Sequence, residues 1–262
     1  MTAGQICTHA HAQDASAGPT PHEEQEAATE RRLLSDIAAY FTAPLHWDAS
    51  NWEYFGGTLA AIAVAHEFDS RVRTDFTRGS SNSLNGSDSD DFQDALPAAG
   101  LLAGTWLYSG LFHDANGLTA TGAMAEAGGL SVVTAYLLQY AAGREGPNQT
   151  TDPNEWRAGG SSFPSVHATA AFAVGTVFAE SGSGDYLWLT RFIGYGVAVA
   201  TSYERLDHNA HWLSDIVAGA GLGASSAVFV LNRTYGRNSG AQIGVAPLEG
   251  GGFLLTYRTT LD

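Results

Sequence analysis

Cysteine and charge are both scarce in this chain. Cys7 is the single cysteine among 262 residues, so an internal disulfide is excluded and thiol chemistry is disfavoured. Only 15% of the residues are charged, against 44% that are hydrophobic, which argues against global disorder and allows a sizeable core. Since no Pro- or Gly-rich linker divides the sequence, we expect one large domain.

Basic residues are rarer than acidic ones. Twelve Lys and Arg residues stand against 27 Asp and Glu residues, which gives a formal net charge of −15. Nucleic acid requires a basic surface on its partner, so the composition predicts no nucleic-acid binding. The acidity favours solubility, and it restricts phosphate binding to a local basic cleft.

Long hydrophobic runs are also few. Uncharged segments occur at 95–112, 127–143, 192–203 and 216–231, but only the first approaches the roughly 20 apolar residues that span a bilayer. Most are built from Ala, Gly, Ser and Thr, and the mean hydropathy is −0.08. The sequence therefore favours a soluble or peripheral helical domain, with a membrane-embedded bundle of weak spans as the alternative.

The first 20 residues show no periodicity and predict a disordered leader or the remnant of a signal peptide. Ala10-His11-Ala12 resembles the small-x-small site that signal peptidase cleaves, although no apolar segment precedes it. This pattern predicts a periplasmic or otherwise exported protein, and membrane embedding is the second location considered.

Helical periodicity dominates the rest of the chain. Apolar residues recur at helical spacing and predict helices at about 22–41, 48–73, 92–112, 118–142, 164–180, 186–203 and 211–231. The polar stretch at 80–91 predicts a solvated loop, and the long loop at 143–163 is of a kind that often carries function. Two β-prone segments near the C-terminus predict a small hairpin. The expected fold is mostly α, with a helical domain over 21–235 and a β-like appendage over 236–262.

Two short segments combine histidine with groups that bind phosphate. His167 follows Pro164-Ser165, a helix start at which backbone N–H groups and the helix dipole favour an anion. Arg205, His211 and Asp215 form an Arg-x5-His-x3-Asp pattern, and residues four apart share one face of a helix. A carboxylate so placed can hold one imidazole nitrogen and leave the other free to attack. The two segments predict one anion pocket with two histidines and an orienting acid.

These segments resemble the type 2 phosphatidic acid phosphatase superfamily, which includes bacterial acid phosphatases and vanadium haloperoxidases. That family carries Lys-x6-Arg-Pro, Pro-Ser-Gly-His and Ser-Arg-x5-His-x3-Asp in this order, and the likeness covers about 118–223. The resemblance implies a helical bundle of the acid phosphatase/vanadium haloperoxidase type. It also implies hydrolysis of a small phosphate ester, such as a lipid or isoprenoid phosphate or diphosphate, without a metal ion or other cofactor.

The resemblance also assigns roles by position. It implies that His211 is the nucleophile that forms a phosphohistidine, that Asp215 orients its ring, and that His167 protonates the leaving group. The phosphate oxygens would be bound by a set of donors that the family motifs match: Arg205, Ser165 and the backbone N–H groups near Val166. Without the second motif, the His211 and Asp215 pair would be read as an ordinary stabilising pair on a helix surface.

The chain departs from the family pattern in its cations. Gln139 stands where the family has Lys and Gly146 where it has Arg, so of three cations only Arg205 keeps its position. The loss of one oxyanion donor typically costs about 10²–10³ in rate. We therefore expect substitutes: Gln139 as a neutral donor, and Arg144 or Arg157 from the neighbouring loop.

Three other interpretations stay open. In a vanadate-dependent haloperoxidase, His211 would bind vanadate as a cofactor, whereas in a phosphatase vanadate would act as an inhibitor. An enzyme that ionises an isoprenyl diphosphate would use the same pocket. A non-catalytic protein that binds lipid phosphate would account for the two missing cations.

Overall fold

The computed structural model describes residues 20–78, 88–182, 184–236, 242–247 and 253–258. The chain divides into two units, Met1–Pro44 and Leu45–Asp262. In the first unit, α1 (Pro21–Thr42) carries an ion pair between Arg32 and Asp36, four residues apart. The predicted leader at 1–20 lies almost wholly outside the described residues.

Near its start, the second unit contains two consecutive helices that are separated by a break at Phe68. After a 3₁₀ helix at Ala43–His46, α2 (Ala49–Glu67) starts at Asp48, whose carboxylate accepts the Asn51 N–H at 2.9 Å. The sequence predicted one helix over 48–73, and this was wrong. The chain breaks at Phe68, and α3 (Asp69–Thr77) follows as a separate helix because Asp69 is drawn into buried hydrogen bonds with later elements.

Within the described residues, five further α-helices follow in the second unit. A 3₁₀ helix at Gly184–Tyr186 lies between the third and the fourth of them. They are α4 (Asp88–Phe112), α5 (Ala115–Ala142), α6 (Val166–Ser181), α7 (Leu187–Asp207) and α8 (Leu213–Tyr235). The prediction of a mostly α fold is confirmed, since 81% of the described structure is helical. One boundary of the predicted 80–91 loop moves, because residues 88–91 belong to α4, while 79–87 lie outside the described residues.

The centre of the second unit is α6, which packs against α5, α7 and α8 through small side chains. The buried residues of α6 are alanines, valines, threonines and a glycine. A methyl group at Gly175 would collide with the carbonyl oxygen of Gly194 on α7, so only glycine permits this approach. Close backbone contact therefore replaces large apolar side chains in this core.

Many large apolar side chains of α4, α5 and α7 are exposed, whereas Trp212 and Met124 are buried. On α4 the exposed set is Trp106, Leu107, Tyr108, Leu111 and Phe112, and α5 and α7 carry similar sets. Two helical segments, Ala95–Phe112 and Leu213–Tyr235, are long and apolar enough to cross a membrane by length and composition. They differ in burial, since the first is 11% buried and the second 50%.

Two strands follow the helices. β1 (Gln242–Pro247) and β2 (Phe253–Arg258) pair antiparallel, with Gln242 opposite Arg258 and Pro247 opposite Phe253. Residues 248–252, which would join them, lie outside the described residues, so the predicted C-terminal hairpin stays a prediction.

Candidate active site

His211 lies in the turn before α8, two residues ahead of Leu213. The sequence placed His211 and Asp215 on one face of a helix, and this was wrong. Asp215 reaches back over the first turn, and its Oδ2 accepts the backbone N–H of Trp212 at 2.9 Å. Such a bond caps the helix N-terminus, so His211 falls outside the helix.

The imidazole of His211 is held by a backbone carbonyl. Its Nδ1 lies 2.9 Å from the carbonyl oxygen of Ser162 and 3.7 Å from Oδ2 of Asp215. A carbonyl oxygen only accepts, so Nδ1 carries the proton in this geometry. In the neutral ring, Nε2 then keeps its lone pair, which is the state that a nucleophile requires.

Asp215 acts on this histidine through Ser162. The Ser162 Oγ donates to Asp215 Oδ2 at 2.5 Å, and both residues are buried. The carboxylate therefore holds in place the residue whose carbonyl holds the ring. The sequence analysis did not predict Ser162 as a site residue, although its hydroxyl lies only three residues before Ser165 of the second motif.

The N-termini of α6 and α8 lie side by side. Ser165 is the N-cap of α6, where its Oγ faces the N–H of Ala168 at 3.4 Å. Its own N–H donates to the carbonyl oxygen of Asp215 at 3.1 Å. Val166 and His167 follow in the first turn of α6, and both are half-buried. Since each helix start carries a partial positive charge, this junction favours an anion.

Arg144 is fully buried between two carboxylates. Its Nη1 donates to Asp215 at 2.6 Å and to Ser214 Oγ at 2.7 Å, and its Nη2 donates to Asp69 at 2.8 Å. The carbonyl of Pro153 accepts from Nη2 at 2.7 Å and from Nε at 3.1 Å. All five N–H groups are thus directed at protein acceptors. The geometry makes Arg144 a bridge between elements rather than a free ligand for phosphate.

The second carboxylate, Asp69, was not predicted as a site residue. It is fully buried and accepts the Ser214 N–H at 2.8 Å and the Ser214 Oγ–H at 2.6 Å, besides the bond from Arg144. His66 places its Nδ1 2.9 Å from Asp69 and its Nε2 3.1 Å from Oδ1 of Asn154. No family motif covers these two residues, so the sequence offered only their proximity as a signal.

The loop at 143–163 covers this cluster. Trp156 stacks over the guanidinium of Arg144 at 4.5 Å, and its ring centroid lies 5.2 Å from that of Phe163. Nearby, the backbone and side-chain N–H groups of Asn154 bond the carboxylate of Asp152 and lower its pKa. The prediction that this long loop serves the site gains support from these contacts.

The remaining predicted residues are spread around the cluster. Gln139 is buried, and its amide donates to the carbonyl of Pro164 at 3.0 Å. Arg205 is buried in the last turn of α7, whereas Arg157 is exposed, with a backbone φ of 59°. Within the described residues, no group of three or more His, Cys, Asp or Glu side chains is placed to hold a metal ion.

A shallow cleft lies between α3 and the start of α8. It is a surface depression and encloses no cavity; its empty space, open solvent included, is about 190 Å³. His211, Arg73, Asn209 and Asp69 contribute to its lining. The imidazole of His211 and the side chain of Arg73 thus line the same depression.

Part of the chain is similar to a known protein family. Residues 120–239 match the sequence profile of the PAP2 superfamily. This part of the chain belongs to the PAP2 superfamily. The match contains both histidine motifs and α6, α7 and α8, while α2 and α3 lie outside it.

A curated relative points to the same family. The chain is 33% identical over 113 residues to a lipid A 1-phosphatase from Porphyromonas gingivalis. The aligned part is 43% of this chain and 21% of that protein, so the chain spans about a fifth of the relative's length. No solved structure matches the chain.

Proposed function

We propose that this PAP2 chain hydrolyses a lipid or isoprenoid phosphate or diphosphate through a phosphohistidine on His211. The observation that carries the proposal is the hydrogen bond from Nδ1 to the Ser162 carbonyl, which leaves Nε2 with its lone pair. The phosphatase name of the matched relative supports the reaction class, and its lipid A substrate supports a lipid phosphate.

The reaction follows from the two histidines. Nε2 of His211 attacks phosphorus, the bond from phosphorus to the ester oxygen breaks, and His167 donates a proton to the leaving oxygen. His167 then takes a proton from water, whose oxygen attacks the phosphohistidine. This second step releases inorganic phosphate and restores the ring of His211.

The negative charge of the phosphoryl group needs fixed donors. We assign this role to Arg205 and to the start of α6, where Ser165 and the backbone N–H groups near Val166 lie beside α8. Phosphoryl transfer depends mainly on such positioning and charge stabilisation. Arg144, by contrast, is proposed to hold Asp215 and α8 in place.

We also propose that this protein is embedded in a membrane. Its core packs through alanine and glycine, and its outer faces carry leucine and aromatic side chains, as at helix interfaces in lipid. The two candidate spans agree with this placement. The expected result is that the protein stays with the membrane pellet after an alkaline carbonate wash, and complete release into the supernatant would reject it.

The test of the reaction uses phosphate release from a lipid phosphate in detergent micelles. Wild-type protein should release inorganic phosphate, and His211→Ala should reduce release to background because the nucleophile is gone. His46→Ala is the matched control, since His46 is an exposed histidine at the end of a 3₁₀ helix. Acid-labile labelling of His211 by a radioactive phosphate ester should appear in the wild type alone. Equal turnover by His211→Ala would reject the assignment.

A second candidate is a non-catalytic protein that binds lipid phosphate. Two observations favour it: Gly146 stands at a cation position, and the amide at the other, Gln139, is bonded to the Pro164 carbonyl. Saturable binding of a lipid phosphate by wild-type protein, without phosphate release, would establish this candidate in place of the enzyme.

A further inference from the structure

The first PAP2 motif lacks its arginine here, and a side chain at that position would be crowded by its neighbours. A Cβ atom on Gly146 would lie 2.8 Å from Oδ1 of Asn148 and 3.0 Å from the carbonyl oxygen of Ala210. The second of these neighbours is backbone, which does not yield like a flexible side chain. A side chain at 146 would therefore require Asn148 and the Ala210 carbonyl to shift, and in this packing a cation for the site comes from elsewhere.

Arg73, on α3, reaches the residue next to this glycine. Its Nε donates to the carbonyl oxygen of Pro147 at 3.1 Å. The side-chain amide of Asn209 donates to the same carbonyl at 3.1 Å, and Pro147 is fully buried. One end of the guanidinium is thereby anchored beside the position that the motif arginine would occupy.

The rest of the guanidinium is available to a ligand. Within the described residues, the side chain of Arg73 makes one hydrogen bond, to the Pro147 carbonyl. No carboxylate in these residues lies within 4.0 Å of its guanidinium. An arginine held at Nε keeps its two terminal nitrogens in a fixed plane, and that plane matches two oxygens of a phosphate.

Arg73 and His211 line the same cleft. The carboxylate of Asp69 also lines it, but Asp69 already accepts bonds from Arg144, Ser214 and His66. Arg71 and Asp75 of α3, and Arg78 just after it, are exposed, and Asp75 pairs with both arginines. Arg73 is therefore the cation of α3 that lines the cleft together with His211.

We propose that Arg73 binds the substrate phosphate and replaces, from α3, the arginine that the first motif lacks. This inference rests on the proposed function, because it assumes that a phosphate enters the cleft beside His211. It also explains how a chain without two motif cations retains a cationic site, since α3 lies outside the matched segment at 120–239.

The experiment compares Arg73→Gln and Arg73→Lys with Arg71→Gln. Arg71 lies on the same helix, with its side chain 78% exposed and 3.9 Å from Asp75, and serves as the matched control. Loss of one oxyanion donor predicts that Arg73→Gln lowers kcat/KM by about 10²–10³. The inhibition constant of inorganic vanadate should rise in parallel, Arg73→Lys should recover part of both, and Arg71→Gln should match wild type.

A second measurement needs no variant. Phenylglyoxal modifies accessible arginines, and mass spectrometry of wild-type protein reports the modification of Arg73 and Arg71 separately. Saturating inorganic phosphate should protect Arg73 and leave Arg71 unprotected. Absence of protection at Arg73, or wild-type kcat/KM and vanadate inhibition in folded Arg73→Gln, would overturn the proposal.

The two proposals fail in different ways. If wild-type protein releases no phosphate from any ester but phosphate protects Arg73, the hydrolase is rejected and the phosphate site stands. If wild-type protein turns over and Arg73→Gln does so equally, the role of Arg73 is rejected and the hydrolase stands.

Discussion

Two histidine and aspartate pairs lie on either side of one buried arginine, and they are built differently. His66 and Asp69 flank the break between α2 and α3, while His211 and Asp215 flank the start of α8. Arg144 donates to both carboxylates, at 2.8 Å to Asp69 and 2.6 Å to Asp215. The two pairs therefore share one cation but belong to different parts of the chain.

The pair with the closer contact is not the one in the family motif. His66 lies 2.9 Å from its aspartate, and its other nitrogen faces Asn154 at 3.1 Å. His211 lies 3.7 Å from its aspartate and bonds the Ser162 carbonyl instead, with its ring lining the cleft. The shorter distance from histidine to carboxylate thus belongs to the pair outside the family motif, whereas the motif histidine is held by a backbone carbonyl.

The largest effect that separates the two pairs is expected from removing each carboxylate in turn. Asp69→Asn and Asp215→Asn each leave Arg144 with one charged partner in a buried site, which costs roughly 3–5 kcal/mol of unfolding free energy. Only Asp215→Asn should also lower kcat well below wild type, because Asp215 holds Ser162. Thermal denaturation and phosphate release from a lipid phosphate measure the two effects. Equal losses of kcat in both variants would show that the pairs are equivalent.

A smaller effect is expected at the histidine of the α2 and α3 pair. His66→Gln removes a bond to a buried carboxylate and should lower the unfolding free energy by about 1–3 kcal/mol. The rate should stay near that of wild type, since His66 is not placed to attack phosphorus. A loss of turnover as deep as that of His211→Ala, in a variant with near-normal thermal stability, would make His66 part of the chemistry.

The smallest effect is expected at the edge of the cluster. Trp156 stacks on Arg144 at 4.5 Å and is 41% exposed, so Trp156→Leu should cost about 0.5–1 kcal/mol. A shift of the denaturation midpoint without a change in KM would place Trp156 on the structural side of the comparison. A rise in KM alone would place it in contact with substrate.

Much of the helical fold could be read from local patterns. Seven helices were expected, and their positions agree with α1, α2 and α4 to α8 within a few residues at most ends. In the structure, Asp48 caps the start of α2 and Gly143 caps the end of α5, and both residue types are common at these positions. The break at Phe68 was missed because it arises from contacts between Asp69 and Ser214, which are 145 positions apart.

The sequence predicted the motif residues of the candidate site but not the hydrogen bonds and ion pairs that connect them to other elements. Arg205, His167 and the pair at 211 and 215 stood out because their spacing matches a family, and the PAP2 match confirms the family. Ser162, Asp69 and Arg73 did not stand out, since each acts through a partner that is remote in sequence. The sequence suggested Arg144 as a substitute cation for phosphate, but in the structure its side chain is buried and pairs with two carboxylates.

The sequence by itself determined where most helices form, which histidines stand in the family motifs and which family the central segment belongs to, because these depend on local periodicity and spacing. The tertiary structure alone decided which oxygen holds the ring of His211, which carboxylates surround Arg144 and which arginine faces the cleft. Hydrogen bonds and ion pairs act over a few ångströms, and only folding brings α3, the loop after α5 and the start of α8 within that distance.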